Sequence, residues 1–204
     1  GATLTLYDGL PLLEARPDMA GDTAEESYDH RFAEIDFGGA MARLSPEPLA
    51  TVARPRLFHI ADQAALQAWR AFLAQVRGRA RAFYAPSFRP DFPLVEQPIA
   101  GAAALTLAAP RGEVAAWLDL TNRRDLYLVL ADGSGRARRV TSLTDLGNGT
   151  TTAGLDAPAL AEGDPAIAMV SLLERCRLAS DRVEIRHGHD GATIQLAFEA
   201  GRTD

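Results

Sequence analysis

A few groups of side chains have the types and spacing that chemistry needs. His187-Gly188-His189-Asp190 places two imidazoles and a carboxylate in one short run, and these are donors that a divalent metal takes. The run also sits where a hairpin tip is expected, and a tip calls for polar, Gly-containing sequence in any case. Further ligands would have to come from distant positions. Glu34 and Asp36 lie two apart on a strand-like stretch, so their carboxylates share one face about 7 Å apart, a spacing that acid–base work can use. Glu25-Glu26 is a second acidic pair. A solvated face explains both pairs without any chemistry. Cys176 with a histidine can form a nucleophile pair, yet a lone cysteine usually packs as a small core residue. No Gly-x-Ser-x-Gly elbow is present. The Gly133/Gly135 pair lacks the strand-to-helix setting of a phosphate loop. Two cationic runs remain, Arg77/Arg79/Arg81 and Arg136/Arg138/Arg139. On a strand each gives a positive stripe, suited to nucleic acid or to a neighbouring subunit.

Composition narrows these options. The 204 residues are 47% apolar and 24% charged, which fits a folded globular chain. All 21 cationic residues are Arg, as a GC-rich coding genome would give. With no Lys, Schiff-base catalysis and the Walker phosphate lysine are excluded. One cysteine excludes a disulfide framework, a Cys-based zinc site and an iron–sulfur cluster within one chain. The net charge of −6 argues against nucleic acid as a partner. No apolar run reaches the ~18–20 residues of a membrane-spanning helix. No secretion leader is recognisable, and a start at Gly1 leaves a longer parent chain open. The residues alone therefore indicate no enzyme, no cofactor and no metal, but a binding or assembly module.

Elements must position these groups. The clearest is a helix capped by Asp62 and ended by Gly78. In it Leu66, Trp69, Leu73 and Val76, with Phe72 beside them, form one apolar stripe. Residues 28–37 read as one long strand with apolar residues on both faces, preceded by a short candidate at 3–7. Residues 44–56, with Pro46, Pro48 and Pro55, read as a loop or an edge. Arg79 and Arg81 alternate with Ala80 and Ala82, as in a strand with one wet face. Pro86, Pro90, Pro93 and Pro98 keep 86–98 irregular. Strands then follow at 103–107, 113–118, 126–131, 137–142, 150–154, 166–173, 182–186 and 193–199. Hairpin signals stand at Asp132-Gly133, Asn148-Gly149 and Asp190-Gly191. This is an α+β chain, mostly β. Breaks near 108–112 and 163–165 suggest a small β-barrel, 110–164, inserted in a β-sandwich made of 1–109 and 165–204 with one packed amphipathic helix.

Two segments resemble the tail-tip proteins of long, flexible-tailed phages. One is Leu66, Trp69, Phe72-Leu73, then Arg77-Gly78-Arg79-Ala80-Arg81-Ala82-Phe83-Tyr84-Ala85-Pro86-Ser87 and Asp91. That run is similar to a helix exit, a strand with paired aromatics, and a Pro-Ser followed by Asp. The other is Leu172-Leu173-Glu174-Arg175-Cys176-Arg177-Leu178-Ala179-Ser180-Asp181-Arg182-Val183-Glu184-Ile185, running into 192–199, which resembles the ending of the same proteins. Residues 126–129 and 150–156 look like the small β insert they often carry. The resemblance implies a virion structural protein like the distal tail protein, made in the bacterial cytoplasm. It implies a ring, in that family a hexamer, that joins tail tube to hub. A domain of a central hub protein is the close alternative. In such a ring the Arg stripes, Arg77, Arg79, Arg81, Arg136 and Arg138, are the expected subunit interface, facing acidic segments such as 22–26. Two other classes are weighed beside it. One is a host-glycan-binding module that stacks sugars on Trp117, Tyr127 or Tyr84. The other is a cell-wall hydrolase using Glu34 and Asp36 or the His187–Asp190 run.

Overall fold

A computed structural model describes residues 4–18, 27–29, 33–36, 41–44, 51–118, 123–189 and 191–200. In chain order, β1 (Leu6–Tyr7), β2 (Leu10–Pro11), β3 (Ser27–Asp29), β4 (Ala33–Asp36), β5 (Met41–Leu44) and β6 (Thr51–Ile60) lead into helix α1 (Gln63–Val76). A 3-10 turn (Gly78–Ala80), β7 (Phe83–Pro86), β8 (Ala104–Leu107) and helix α2 (Arg111–Trp117) follow. The rest is strand: β9 (Asp125–Leu130), β10 (Gly135–Asp145), β11 (Thr151–Leu155), β12 (Ile167–Leu178), β13 (Ile185–Gly188) and β14 (Gly191–Ala200). The fold is mostly β, with a large antiparallel sheet, small two-stranded sheets and two short helices.

The chain divides into two compact units. The first draws its described residues from Gly1–Leu4, Pro17–Ala82 and Cys176–Gly201, the second from Thr5–Arg16 and Phe83–Arg175. The breaks expected near 109 and 165 both fall inside the second unit.

In the first unit β14 pairs antiparallel with β6 from Ala192↔Ile60 to Glu199↔Ala53. Period-2 burial puts Ile194, Leu196 and Phe198 beside Phe58 and Ile60. Helix α1 covers that face, and its Trp69 meets Phe58 edge-on with ring centroids 4.9 Å apart. The helix is held as its sequence demands. Asp62 accepts the Ala65 N–H at 2.7 Å, and the buried stripe is Leu66, Trp69, Phe72 and Val76, with Phe72 rather than the half-buried Leu73 at its centre.

The second unit follows the ladder β12–β9–β10–β11–β8, with β7 on the other side of β12. β10 serves two neighbours, its first half pairing β9 and its second half β11, with a bulge between Val140 and Ser142. Leu105, Leu107, Leu126, Leu128, Leu130 and Val170 are among the buried core. No closed barrel is found among the described residues. The ladder ends at β8, and the chain available to close it is proline-rich. That stretch makes isolated bonds instead. Phe92 N–H donates to the Val170 carbonyl, and Val95 N–H to Thr106. The Gln97 side chain both donates to and accepts from the Ile167 backbone, at 2.9 and 2.8 Å.

Several expectations are corrected. Residues 79–82 are not a strand. Arg77 and Gly78 both take left-handed φ, and Arg81 N–H turns back to the Val76 carbonyl at 3.1 Å. Residues 113–118 belong to a helix, not a strand: Pro110 precedes it, Glu113 lies in its first turn, and Val114 and Leu118 are buried four apart. The stretch 28–37 is not one strand, since β3 pairs with β6 while β4 pairs with β5. Residues 51–60 are a ten-residue strand despite Pro55. The Leu57 carbonyl accepts from Asp18 N–H at 2.8 Å, on the side away from β14. Residues two apart point their backbone polar groups the same way, so Pro55's missing N–H costs no bond to β14.

Candidate functional site

The exit of α1 sets the positions of Arg77, Arg79 and Arg81. Arg79 N–H donates to Asp181 Oδ1 at 2.7 Å, and its guanidinium lies 3.8 Å from Glu199. Arg81 Nη1 donates to Gln75 Oε1 at 3.1 Å. These arginines therefore flank a turn and do not line a strand. In the second unit Arg136 and Arg138 do alternate on β10, but their heads are engaged. Arg136 donates to Asp164 at 2.9 Å and Arg138 to the Pro158 carbonyl at 2.7 Å. The Ala161 N–H, and then Arg136, hold the Asp164 carboxyl below the usual range. The five expected interface arginines thus divide three and two between the units.

The other chemical candidates lie apart. His187 is exposed on β13 and His189 is exposed beyond it, while Asp190 lies outside the described residues. Among the described residues no three His, Cys, Asp or Glu side chains group as metal ligands. Glu34 and Asp36 stand on β4 opposite Arg43 and Met41. Cys176 is buried in β12. The acidic segment 22–26 and the Trp117 side chain lie outside the described parts. Tyr84 and Tyr127 cannot serve as a sugar-stacking platform, because both are core residues. Tyr84 packs edge-on against Tyr7 at 5.0 Å, and Tyr127 against Phe88 at 5.9 Å.

Sequence reading misses the most organised polar cluster of the second unit. Tyr7 OH donates to Asp125 Oδ1 at 2.7 Å, and Arg139 Nε donates to the same oxygen at 3.1 Å. Arg139 Nη2 also reaches Asp8 at 2.8 Å. Nearby, Tyr127 OH faces Glu14 Oε1 at 3.4 Å, and Thr5 Oγ1 donates to the other Glu14 oxygen. Tyr7 and Asp125 are 118 residues apart, so no local pattern announces them.

Burial, and then these carboxylates, push the phenols of Tyr7 and Tyr127 well above 10; Tyr84 moves the same way. The folded state thus holds the neutral phenol, while the unfolded chain ionises near pH 10. The contribution is intact below pH 10 and is lost as pH rises beyond it. For Tyr127, only 3% exposed, the loss should be about 1.4 kcal/mol per pH unit. In urea unfolding above about pH 10.5, Tyr127→Phe should reduce the fall of stability with pH by about one proton, with no difference in slope at about pH 9. An unchanged slope would refute the assignment.

In the first unit a groove of about 380 Å³ runs over the outer side of β6 and β14. Pro55, Leu57 and Ala197 line it, with Arg182, Val183 and Arg186 from the segment before and within β13. No protein-family model matches the chain, and no curated protein matches it.

Proposed function

We propose that this chain is a structural subunit of the tail tip of a long, flexible-tailed phage or prophage, assembling as a distal-tail-like ring between tail tube and hub. One observation carries the reading. The two segments that bear the resemblance are distant in sequence, yet they meet where each has its characteristic residues. Arg77-Gly78-Arg79 ends the helix against Asp181, the aspartate of the second segment. Ser87 and Asp91 of the first segment engage the second at its start: the Asp91 carboxylate accepts from Leu172 N–H at 2.8 Å and from the Ser87 hydroxyl. Ser87 N–H in turn donates to the Leu172 carbonyl at 2.9 Å. The motifs are therefore joints of the fold, which supports a likeness in architecture. On this reading the protein resides in the virion.

Native mass spectrometry across concentration tests the reading. The expected product is a closed ring, a hexamer at six times the 21.9 kDa chain. A strict monomer that also fails to bind purified tail tubes lacking their tip would overturn it. Tube binding by single copies without a ring would favour a hub domain.

A further inference from the structure

We infer that the loop 94–101 of one copy seats in the groove beside β14 of the next, making a head-to-tail contact between copies of this chain. The inference rests on the ring proposal and names its contact surface. Ile99 is 82% exposed and Val95 51%, yet the loop that presents them is fixed. Val95 N–H donates to Thr106, Gly101 N–H to Leu160 and Ala102 N–H to Ile99, each at 2.9 Å. The Gln97 amide is pinned to Ile167, and Pro98 precedes Ile99. A rigid apolar knob loses little entropy on docking, which is the property of an anchor residue.

The knob carries negative charge. Glu96 is exposed within the loop, and Glu162 is exposed two residues beyond Leu160, whose carbonyl holds Gly101. Arg136 and Arg138, on the same unit's β10, already serve Asp164 and Pro158.

The groove has the complementary character. Its floor is apolar, with Pro55, Ala197 and a 39% exposed Leu57. Its rim carries Arg182 and Arg186, whose side chains are 83% and 79% exposed and share one counter-charge, Glu184. The rim is thus net cationic on a chain whose total charge is −6. A second copy supplies the acid-rimmed knob such a rim attracts. The two surfaces differ, so the contact is heterologous, and repeating it generates a ring or a filament.

Two surface variants of the full chain test this: Ile99→Asp, which spoils the knob, and Arg182→Glu/Arg186→Glu, which spoils the groove. Circular dichroism melts check that both remain folded. In sedimentation velocity each should weaken self-association at least about thirtyfold, the loss that removal of a hot spot gives. Mixed together they should form a one-to-one pair and nothing larger, because each keeps one working surface. If both variants assemble like the parent, or the mixture forms no pair while the parent assembles, the contact is wrong and the ring proposal stands. A parent chain that stays monomeric to about 1 mM, the upper end of weak affinity, also overturns the contact. The ring proposal then rests on tail-tube binding alone.

Discussion

Asp125→Ala should destabilise the protein by about 2–4 kcal/mol in urea unfolding. Asp125 is buried at the start of β9, where it takes two donors on one oxygen: Tyr7 OH at 2.7 Å and Arg139 Nε at 3.1 Å. Arg139 also lies over the Tyr7 ring, 5.9 Å from its centroid. Removing the carboxylate leaves a half-buried guanidinium and a desolvated phenol without their shared acceptor. One-sided loss of a fully buried pair costs about 3–5 kcal/mol. The cost here is lower, because Arg139 is 25% exposed and keeps Asp8 at 2.8 Å. Asp125→Asn retains an acceptor for Tyr7 and should lose about half as much. Arg139→Met alone strands the carboxylate, so the double variant should be less damaged than the two single losses added together. A loss below about 1 kcal/mol for Asp125→Ala, or strict additivity in the cycle, would show that the cluster is not a coupled unit.

How far the sequence discloses this structure depends on the range of the forces involved. Helix α1 is legible because its cap, stripe and left-handed exit all lie within one short stretch, from Asp62 to Gly78. The hairpins at Asp132-Gly133 and Asn148-Gly149 are legible for the same reason: the turn residues sit between the strands they join. Helix α2 is not. Over 113–118 the helical period rests on Val114, Trp117 and Leu118 within barely one turn, and so short a run also fits a strand. Strand β6 is hidden by Pro55, whose cost depends on which side of the strand β14 occupies. The candidate sites divide in the same way. Arginine runs and an exposed histidine pair are visible as residue types. That Arg136 is already bound to Asp164, that Tyr127 is buried and that Ile99 is held out in the open are all set by distant partners. The Gly78–Asp181 joint is intermediate, since both residues stand in the resemblance segments but only the fold brings them together.

That joint gives the second large effect. Gly78→Ala should cost about 2–4 kcal/mol. Gly78 has φ +65°, and an L side chain in that region costs roughly 1–2 kcal/mol by itself. The added methyl would also overlap Asp181 Oδ1 and come within 3.0 Å of the Asp181 main chain. Backbone cannot swing aside as a flexible side chain can. The 178–182 segment must therefore shift, taking Oδ1 away from Arg79 N–H, a bond of 2.7 Å. Asp181→Ala alone loses only that acceptor, about 1 kcal/mol at an exposed site. In the double variant part of the clash is relieved, so its loss should fall short of the sum. The crowding against the main chain of residue 181 persists and keeps that loss above the one for Asp181→Ala. Arg77, one residue earlier at φ +53°, should respond in the opposite sense. Arg77→Gly removes a left-handed penalty with no clash to create, and should raise stability by up to about 1 kcal/mol. If Gly78→Ala proves neutral, the close approach to Asp181 is not a feature of the native state, and the two resemblance segments are joined only where Ser87 and Asp91 meet Leu172. If it is costly while Arg77→Gly stabilises, the helix exit and the 172–185 segment are one structural joint, as the tail-tip proposal requires.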